Sequence, residues 1–276
     1  MQERKSRVRT LLGDFGPLAL IFALLIGVSF LPPDTSAAEV DRLGRLRVCM
    51  PTQYPPLVTG NPEAPGFDVE LLTAIAHNLG WRLDVISNSN MGRDYNPRSW
   101  RLTRAQCSVI AGGIALTQTS RSFLDTSEPY LRTGWAYVKP INSTRTGGKV
   151  GVYVGLTGLD RIALAQYLRG AGIQTEIMRD PASLARALDA GEIDAAITEA
   201  LLAAQTFSED DHDFSLLPEP LERINLGFGF WKGDLTLRRA VEGQLHRLWA
   251  DGTVDALAEK YDLASDLLLH PGENPS

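Results

Sequence analysis

Short apolar runs alternate with stretches of helical periodicity along this chain, and the alternation starts twice, at Leu46 and again at Lys149. Strands separated by helices cannot close as tight hairpins. They lie side by side in parallel, with the helices covering the sheet faces. In the first round Leu46, Val48 and Met50 alternate with Arg47 and Cys49, the pattern of a half-buried strand. Pro55, Pro56, Gly60, Pro62, Pro65 and Gly66 then forbid regular structure. Asp68 reads as the N-cap of a helix with Val69, Leu72, Ile75, Ala76 and Leu79 on one face and Gly80 as its stop. Residues 81–86 and 108–111 read as the second and third strands. The second round places strands at 149–154, 175–178 and 195–198, with helices at 159–168 and 183–188 between them. After a polar loop at 208–213, a strand at 225–230 and helices at 235–249 and 253–261 close the chain. Two such units, joined near 135–140, predict two lobes rather than one continuous sheet. Ligands of open α/β sheets sit beyond the carboxyl ends of the strands, so a two-lobed version holds its ligand in the cleft between lobes.

Ahead of the first strand stand Arg4, Lys5, Arg7 and Arg9, an apolar run at 17–31, and then Ser36, Ala37 and Ala38. These are the three regions of a secretory signal peptide, cut after Ala38. The run is shorter than the roughly 20 residues a spanning helix requires, and it ends at Pro32 and Pro33, so no stable membrane insertion is expected after cleavage. No cysteine stands beside the cut to accept a lipid. Residues 1–38 carry four basic and three acidic side chains, so the net charge of −6 becomes about −7 in the mature chain. An acidic chain without basic clusters is a poor partner for nucleic acid. Its 44% hydrophobic and 22% charged content is that of a globular protein. The chain holds two cysteines, Cys49 and Cys107, and an oxidising compartment makes one disulfide the natural reading. His77, His212, His246 and His270 are scattered, and two cysteines alone supply no structural zinc set, so neither metal nor cofactor is expected. The sequence holds no Ser-x-x-Lys, nucleophile elbow, zinc-helix motif or phosphate loop.

Several short motifs recur in order: Leu46-Arg47-Val48 before Tyr54-Pro55-Pro56-Leu57; Gly66-Phe67-Asp68-Val69-Glu70-Leu71; Ala111-Gly112-Gly113 through Thr117; and Ser127-Glu128-Pro129-Tyr130. Later come Lys149-Val150-Gly151-Val152, Gly191-Glu192-Ile193-Asp194-Ala195-Ala196, Asp251-Gly252-Thr253 and Lys260-Tyr261. From 46 to 263 the chain thereby resembles the family 3 extracellular solute-binding proteins, which include the amino-acid-binding components of ABC importers. The resemblance implies an α/β, two-lobed, type II periplasmic-binding-protein-like fold. Each lobe would be a mainly parallel sheet flanked by helices, and two crossover strands would form the hinge. In residue terms this is a signal peptide at 1–38, a first lobe at 39–137, a second at 138–226, a return to the first at 227–270, and a flexible tail at 271–276. In that fold the first and third strands are neighbours, which places Cys49 against Cys107.

The resemblance also implies a monomeric periplasmic protein, not an enzyme, that captures a small polar metabolite by lobe closure and delivers it to an inner-membrane ABC permease. The ligand would carry a carboxylate, an amine or both. The same fold serves periplasmic dehydratases acting on prephenate or arogenate and accessory proteins of quinoprotein dehydrogenases. Fold alone does not separate these readings.

Tyr54 occupies the family's aromatic position, where a ring packs against the ligand; the alternative is a core ring before a turn. Gly112 and Gly113 let backbone approach a ligand closely, or merely make a tight turn. Phe67 reads as core. Thr117 matches the family's helix-starting residue, which is followed three residues on by an arginine that clamps a carboxylate. Here that place holds Ser120, and the arginine is Arg121. One step along a helix turns a side chain by about 100°. Either the turn is reshaped or the clamp is missing. Ala115 likewise stands where amino-acid binders carry a hydroxyl. In the second lobe Thr157 and Gly158, before a helix, form an anion site from exposed amides and a hydroxyl, or Thr157 is only an N-cap. Glu199 stands where the family carries an aspartate for the ligand ammonium; the alternative is a solvated carboxylate opening the next helix. Trp100, Trp135, Trp231 and Trp249 line a cleft or, as isolated tryptophans usually do, pack a core.

Overall fold

The computed structural model describes residues 20–24, 26, 33–91, 96–141, 143, 148–155, 159–208 and 210–272. The chain divides into two units, 1–35 and 36–276. In the first, residues 20–24 and 26 are helical and 33–35 carry no regular structure.

The second unit is built on two sheets. It opens with helix α1 (Ser36–Leu43) and strand β1 (Arg45–Pro51), followed by α2 (Phe67–Asn78), β2 (Arg82–Asn88) and β3 (Val109–Ala115). β1 pairs in parallel with β2, Val48 opposite Val85, and with β3, Val48 opposite Val109. Every residue of β3 is buried. This fits its unbroken Val-Ile-Ala-Gly-Gly-Ile-Ala run, which has no polar face to offer water. α3 (Gln118–Phe123), β4 (Leu124–Thr126) and β5 (Leu131–Thr133) follow. The chain then leaves this sheet, with Gly134 alone between β5 and β6 (Trp135–Pro140) of the second sheet.

β7 (Val150–Val152), α4 (Arg161–Gly170), β8 (Thr175–Ile177), α5 (Pro181–Asp189), β9 (Ala195–Glu199), α6 (Ala200–Thr206) and β10 (His212–Leu216) complete the second half. The strand order there is β10-β6-β9-β7-β8. β11 (Ile224–Trp231) returns to the first sheet, whose order is β2-β1-β3-β11-β4 with β5 also on β11. α7 (Leu235–Ala250) and α8 (Thr253–Lys260) follow, packed on each other and on α2, with α7 also on α1.

The parallel part of each sheet, β2-β1-β3 and β9-β7-β8, is the part announced by strands alternating with helices. The strands that carry the chain between sheets run the other way. β11 is antiparallel to β3, β4 and β5, and β6 is antiparallel to β9 and β10, so each sheet is mixed. β10 begins within the segment read as a polar loop. Its exposure alternates residue by residue, as expected of an edge strand with one face in water.

α2 buries Phe67, Leu71, Leu72 and Ile75 completely. Each such side chain stabilises the fold by about 1.5–3 kcal/mol relative to exposure. The expected cap at Asp68 is corrected here. The N-cap is Gly66, helix α2 begins at Phe67, and Asp68 lies in the first turn, wholly buried. It turns inward because two backbone amides of β3 need an acceptor, as described below. The end of α8 is tied back to the same helix. The Tyr261 hydroxyl accepts the Gly66 N–H at 3.0 Å and donates to Glu70 at 2.5 Å, while Lys260 reaches Glu70 at 2.7 Å. Burial and the Glu70 carboxylate push the Tyr261 hydroxyl up to about 12.

Cys49 and Cys107 form the disulfide, with Cα atoms 5.6 Å apart. Cys107 stands two residues before β3, so the bond joins β1 to the lead-in of its neighbour. Around it Met91, Trp100, Ile110, Ile114 and Leu124 make a small core separate from the main one.

Candidate functional site

Beyond Ile110, β3 leaves β1 and keeps pairing with β11 alone. The bend is made by Gly112 and Gly113, with φ of 86° and 80°. This left-handed region is one L side chains rarely adopt. Space forbids a side chain as well. A Cβ on Gly112 would lie 2.4 Å from Pro51 Cδ, and one on Gly113 would lie 2.5 Å from Tyr54 Cε1. The Tyr54 ring therefore rests on the bare Cα of Gly113.

Tyr54 itself is held in a tight loop. Its N–H donates to the Val58 carbonyl at 2.7 Å, and its own carbonyl accepts from Leu57 at 2.9 Å and Val58 at 3.0 Å. The loop is hooked onto the start of α2, where the Phe67 N–H donates to the Pro56 carbonyl at 2.9 Å and the Asp68 N–H to the Leu57 carbonyl at 3.1 Å. Asp68 also holds the glycine bend. Its Oδ2 accepts the Gly112 and Gly113 amides at 2.8 and 3.2 Å, and the Tyr130 hydroxyl donates to both carboxylate oxygens at 2.8 Å. Burial pushes the Asp68 carboxyl up to about 6 against the pull of these bonds. Burial and the neighbouring Asp68 charge drive the Tyr130 hydroxyl far above its ordinary value. The Tyr130 ring lies between Phe67 and Phe228, with centroids at 6.2 and 4.6 Å. Neither Asp68 nor Tyr130 was singled out from the sequence as part of this wall. Both stand in the motifs that carry the family resemblance, but only the fold brings the motifs together.

At the end of the same strand Thr117 caps α3, its hydroxyl accepting the Ser120 N–H at 3.2 Å and lying 3.3 Å from the Ser120 hydroxyl. Arg121 N–H donates to the Thr117 carbonyl at 2.9 Å. This is a regular helical turn, so the place three residues after Thr117 belongs to Ser120, which is fully buried. Arg121 is exposed one step round. Among the described residues its guanidinium makes no hydrogen bond or ion pair, and its carbonyl accepts from Lys232 at 2.8 Å.

Thr157 and Gly158 lie outside the described residues. The helix after them begins at Arg161 rather than 159, and its N-cap is Asp160, whose Oδ1 accepts the Ile162 and Ala163 amides at 2.8 and 3.0 Å. Two of that helix's leading amides are thus committed to the chain's own carboxylate.

Glu199 ends β9 opposite Trp135 and caps α6. Its Oε1 accepts the Leu201 amide at 3.1 Å and its Oε2 the Leu202 amide at 3.0 Å, while the Thr133 hydroxyl donates to Oε1. It does open the next helix, but it is buried rather than solvated, being 4% exposed. Burial raises its pKa although all three bonds favour the charged form. Thr133 belongs to the first sheet and Glu199 to the second, so this contact spans the crossing, beside the bond from Ala200 N–H to the Gly134 carbonyl at 2.9 Å. Trp100, Trp135 and Trp249 are packed in the cores, and Trp231 donates its indole N–H to the Cys107 carbonyl at 2.7 Å. Among the described residues no three His, Cys, Asp or Glu side chains converge as a metal would require, and no helix is long and apolar enough to cross a membrane.

The family profile described as bacterial extracellular solute-binding proteins, family 3, matches residues 46–264. The chain belongs to that family. L-cystine-binding protein TcyJ of Escherichia coli (strain K12) is 26% identical over 238 residues, covering 81% of this chain and 84% of that protein. A polar amino acid ABC uptake transporter substrate binding protein from Streptococcus thermophilus superposes with a TM-score of 0.70 at 17% identity, covering 85% of this chain and 93% of that one. An ancestral cyclohexadienyl dehydratase, AncCDT-3(P188L), superposes with a TM-score of 0.61 at 18% identity, covering 86% and 99%. Such likenesses show the fold, the type II periplasmic-binding-protein arrangement of two sheets flanked by helices.

Proposed function

We propose that this family 3 protein works in the periplasm as a monomer, capturing an amino acid or close derivative between its two lobes and delivering it to an inner-membrane ABC permease without altering it. The observation that carries the reading is the aromatic wall at the end of β3, where Tyr54 is seated on the Gly112–Gly113 bend. A flat ring fixed in this way desolvates a small molecule at little entropy cost. Half-buried Thr117, at the same strand end, supplies a hydroxyl for orientation. Glu199, at the crossing, is the acceptor for a ligand ammonium. With Ser120 in the family's clamp position, the ligand carboxylate falls to Arg121 at the rim and to Thr157 and Gly158 of the second lobe. A glutamate in place of the family's aspartate and a clamp moved outward suit a ligand longer than a simple α-amino acid. L-cystine, which TcyJ is named for binding, is the first candidate.

The lobes are joined by few strands, so a ligand touching both favours the closed arrangement. The test is a thermal-shift screen of the chain from residue 39 against L-cystine, amino acids, amines, organic acids and quinone-related metabolites. A ligand at about 100 times its Kd adds about 2.7 kcal/mol to stability. One amine- and carboxylate-bearing compound should raise the melting temperature by several degrees. A shift only with quinone-related compounds would move the protein to a dehydrogenase accessory role. Conversion of prephenate to an ultraviolet-absorbing product would replace capture with a dehydratase activity.

A further inference from the structure

We propose that Asp68, although sealed from solvent, is a positioning residue for ligand capture: its carboxylate and its backbone amide together hold the two halves of the wall on which Tyr54 rests. The inference depends on the reading of Tyr54 as a ligand-facing ring. The side chain of Asp68 fixes the amides of Gly112 and Gly113, the bend whose bare Cα supports the ring. Its main-chain N–H fixes Leu57, inside the loop that carries the ring. One residue thus sets the separation between a backbone seat and the side chain sitting on it. A cap or a core residue would need only one of these contacts.

The charge state of this carboxylate decides how well it can do so. An ionised carboxylate has acceptor sites for two amides and a bridging hydroxyl at once, while a protonated one surrenders an acceptor site and must find a partner for its own proton. The carboxyl lies near pH 6 because burial raises it, with Tyr130, Gly112 and Gly113 pulling it back. Tyr130 is the titratable side chain that touches it. On the same helix Glu70 spends its charge on Lys260 and Tyr261 of the closing segment. On α7, Arg238 faces Glu242 at 3.6 Å and His246 faces Glu128 at 2.9 Å. Acidification through pH 6 therefore loosens the wall through Asp68, and ligand affinity falls. The stability contributed by Asp68 changes in the opposite sense, because a buried carboxyl raised in the folded state favours folding more once protonated. A residue with only a structural role moves stability and affinity together.

Two readouts test this. In the ligand-free protein, NMR should show the amide protons of Gly112 and Gly113 and the ring protons of Tyr54 titrating together with a midpoint of about 6, and Asp68→Asn should abolish all three titrations. If Asp68→Asn does not fold, Tyr130→Phe serves, and it should move the shared midpoint upward by removing a bond that favours the charged form. Amides that titrate while the Tyr54 ring does not would overturn the proposal. The second readout is a double-mutant cycle of Asp68→Asn and Tyr54→Ala, followed by calorimetry with L-cystine and the amino-acid panel. Asp68→Asn should weaken binding about five- to tenfold in the native background and less than about twofold with Tyr54→Ala already present. Additive losses refute positioning through Tyr54. An unchanged affinity in Tyr54→Ala alone refutes the ligand-wall reading beneath it, and the proposal with it.

Discussion

Replacing Gly113 with alanine adds one methyl group at the seat of the Tyr54 ring. Two costs arise and can be separated. At φ of 80° an L residue is strained by about 1–2 kcal/mol. The added Cβ would also lie 2.5 Å from Tyr54 Cε1, 2.8 Å from Tyr54 Cδ1 and 3.1 Å from Leu57 Cδ1. Relieving such overlap in a packed region costs about 1–3 kcal/mol more. The total is about 2–5 kcal/mol, and the relief comes by lifting the Tyr54 ring from its seat. Gly172→Ala is the control, because φ there is 66° and a Cβ would meet nothing within 4 Å. It carries the backbone strain alone. Urea unfolding should therefore show Gly113→Ala more damaging than Gly172→Ala by about 1–3 kcal/mol. Calorimetry should show ligand affinity reduced only in the former. Equal destabilisation with affinity intact in both would mean that Tyr54 is not seated as described.

Breaking the Cys49–Cys107 bond, which spans 58 residues of chain, should cost about 4 kcal/mol by the loop-entropy relation, read as a lowered urea midpoint after reduction. Denatured, unreduced protein exported to the periplasm should show no free thiol by Ellman titration. Asp68 rises from 3.8 to about 6 on folding. Its stabilising share is thus full below about pH 4 and is lost as pH rises through 6, about 3 kcal/mol in all. The stability difference between the native chain and Asp68→Asn, followed by urea unfolding from pH 4 to 7, should fall by that amount. Glu199→Gln should leave the fold intact while cutting affinity for an amine-bearing ligand at least about tenfold, since a buried ammonium would lose its counter-charge. Unchanged affinity by calorimetry would reduce Glu199 to a helix cap. Tyr261→Phe removes the hydroxyl shared by Gly66 and Glu70 and should cost about 1–2 kcal/mol without altering affinity, measured by the same two assays.

Elements with long enough patterns were legible in the amino-acid order. β1 showed its alternation, α2 its stripe and its stop, and the closing helices read at 235–249 and 253–261 stand as α7 and α8. β4 and β5 are three residues each, shorter than any period can register, and their pairing to β11 depends on chain that returns nearly a hundred residues later. β10 sits at a sheet edge, so its composition resembles a loop. The mixed character of the sheets escaped for the same reason, because direction is set by where the chain crosses over. In the site, the displaced arginine was readable by counting from Thr117. That Ser120 is buried in its place required the capped turn of α3. In sequence Asp68 reads as a cap because an aspartate ahead of an apolar run is usually one. Its true partners, Gly112, Gly113 and Tyr130, are brought to it only by the packing of α2 on β3.

In the proposed capture, one small molecule is gripped from both sheets at once, and amide hydrogen exchange with and without the bound compound tests that most directly. On adding the compound that raises the melting temperature most, protection should increase in two places together. One is residues 54–58 with 112–117 on the first lobe, and the other is residues 199–202 on the second. Protection confined to one lobe, or appearing away from these segments while binding remains tight, would contradict capture by closure at this site.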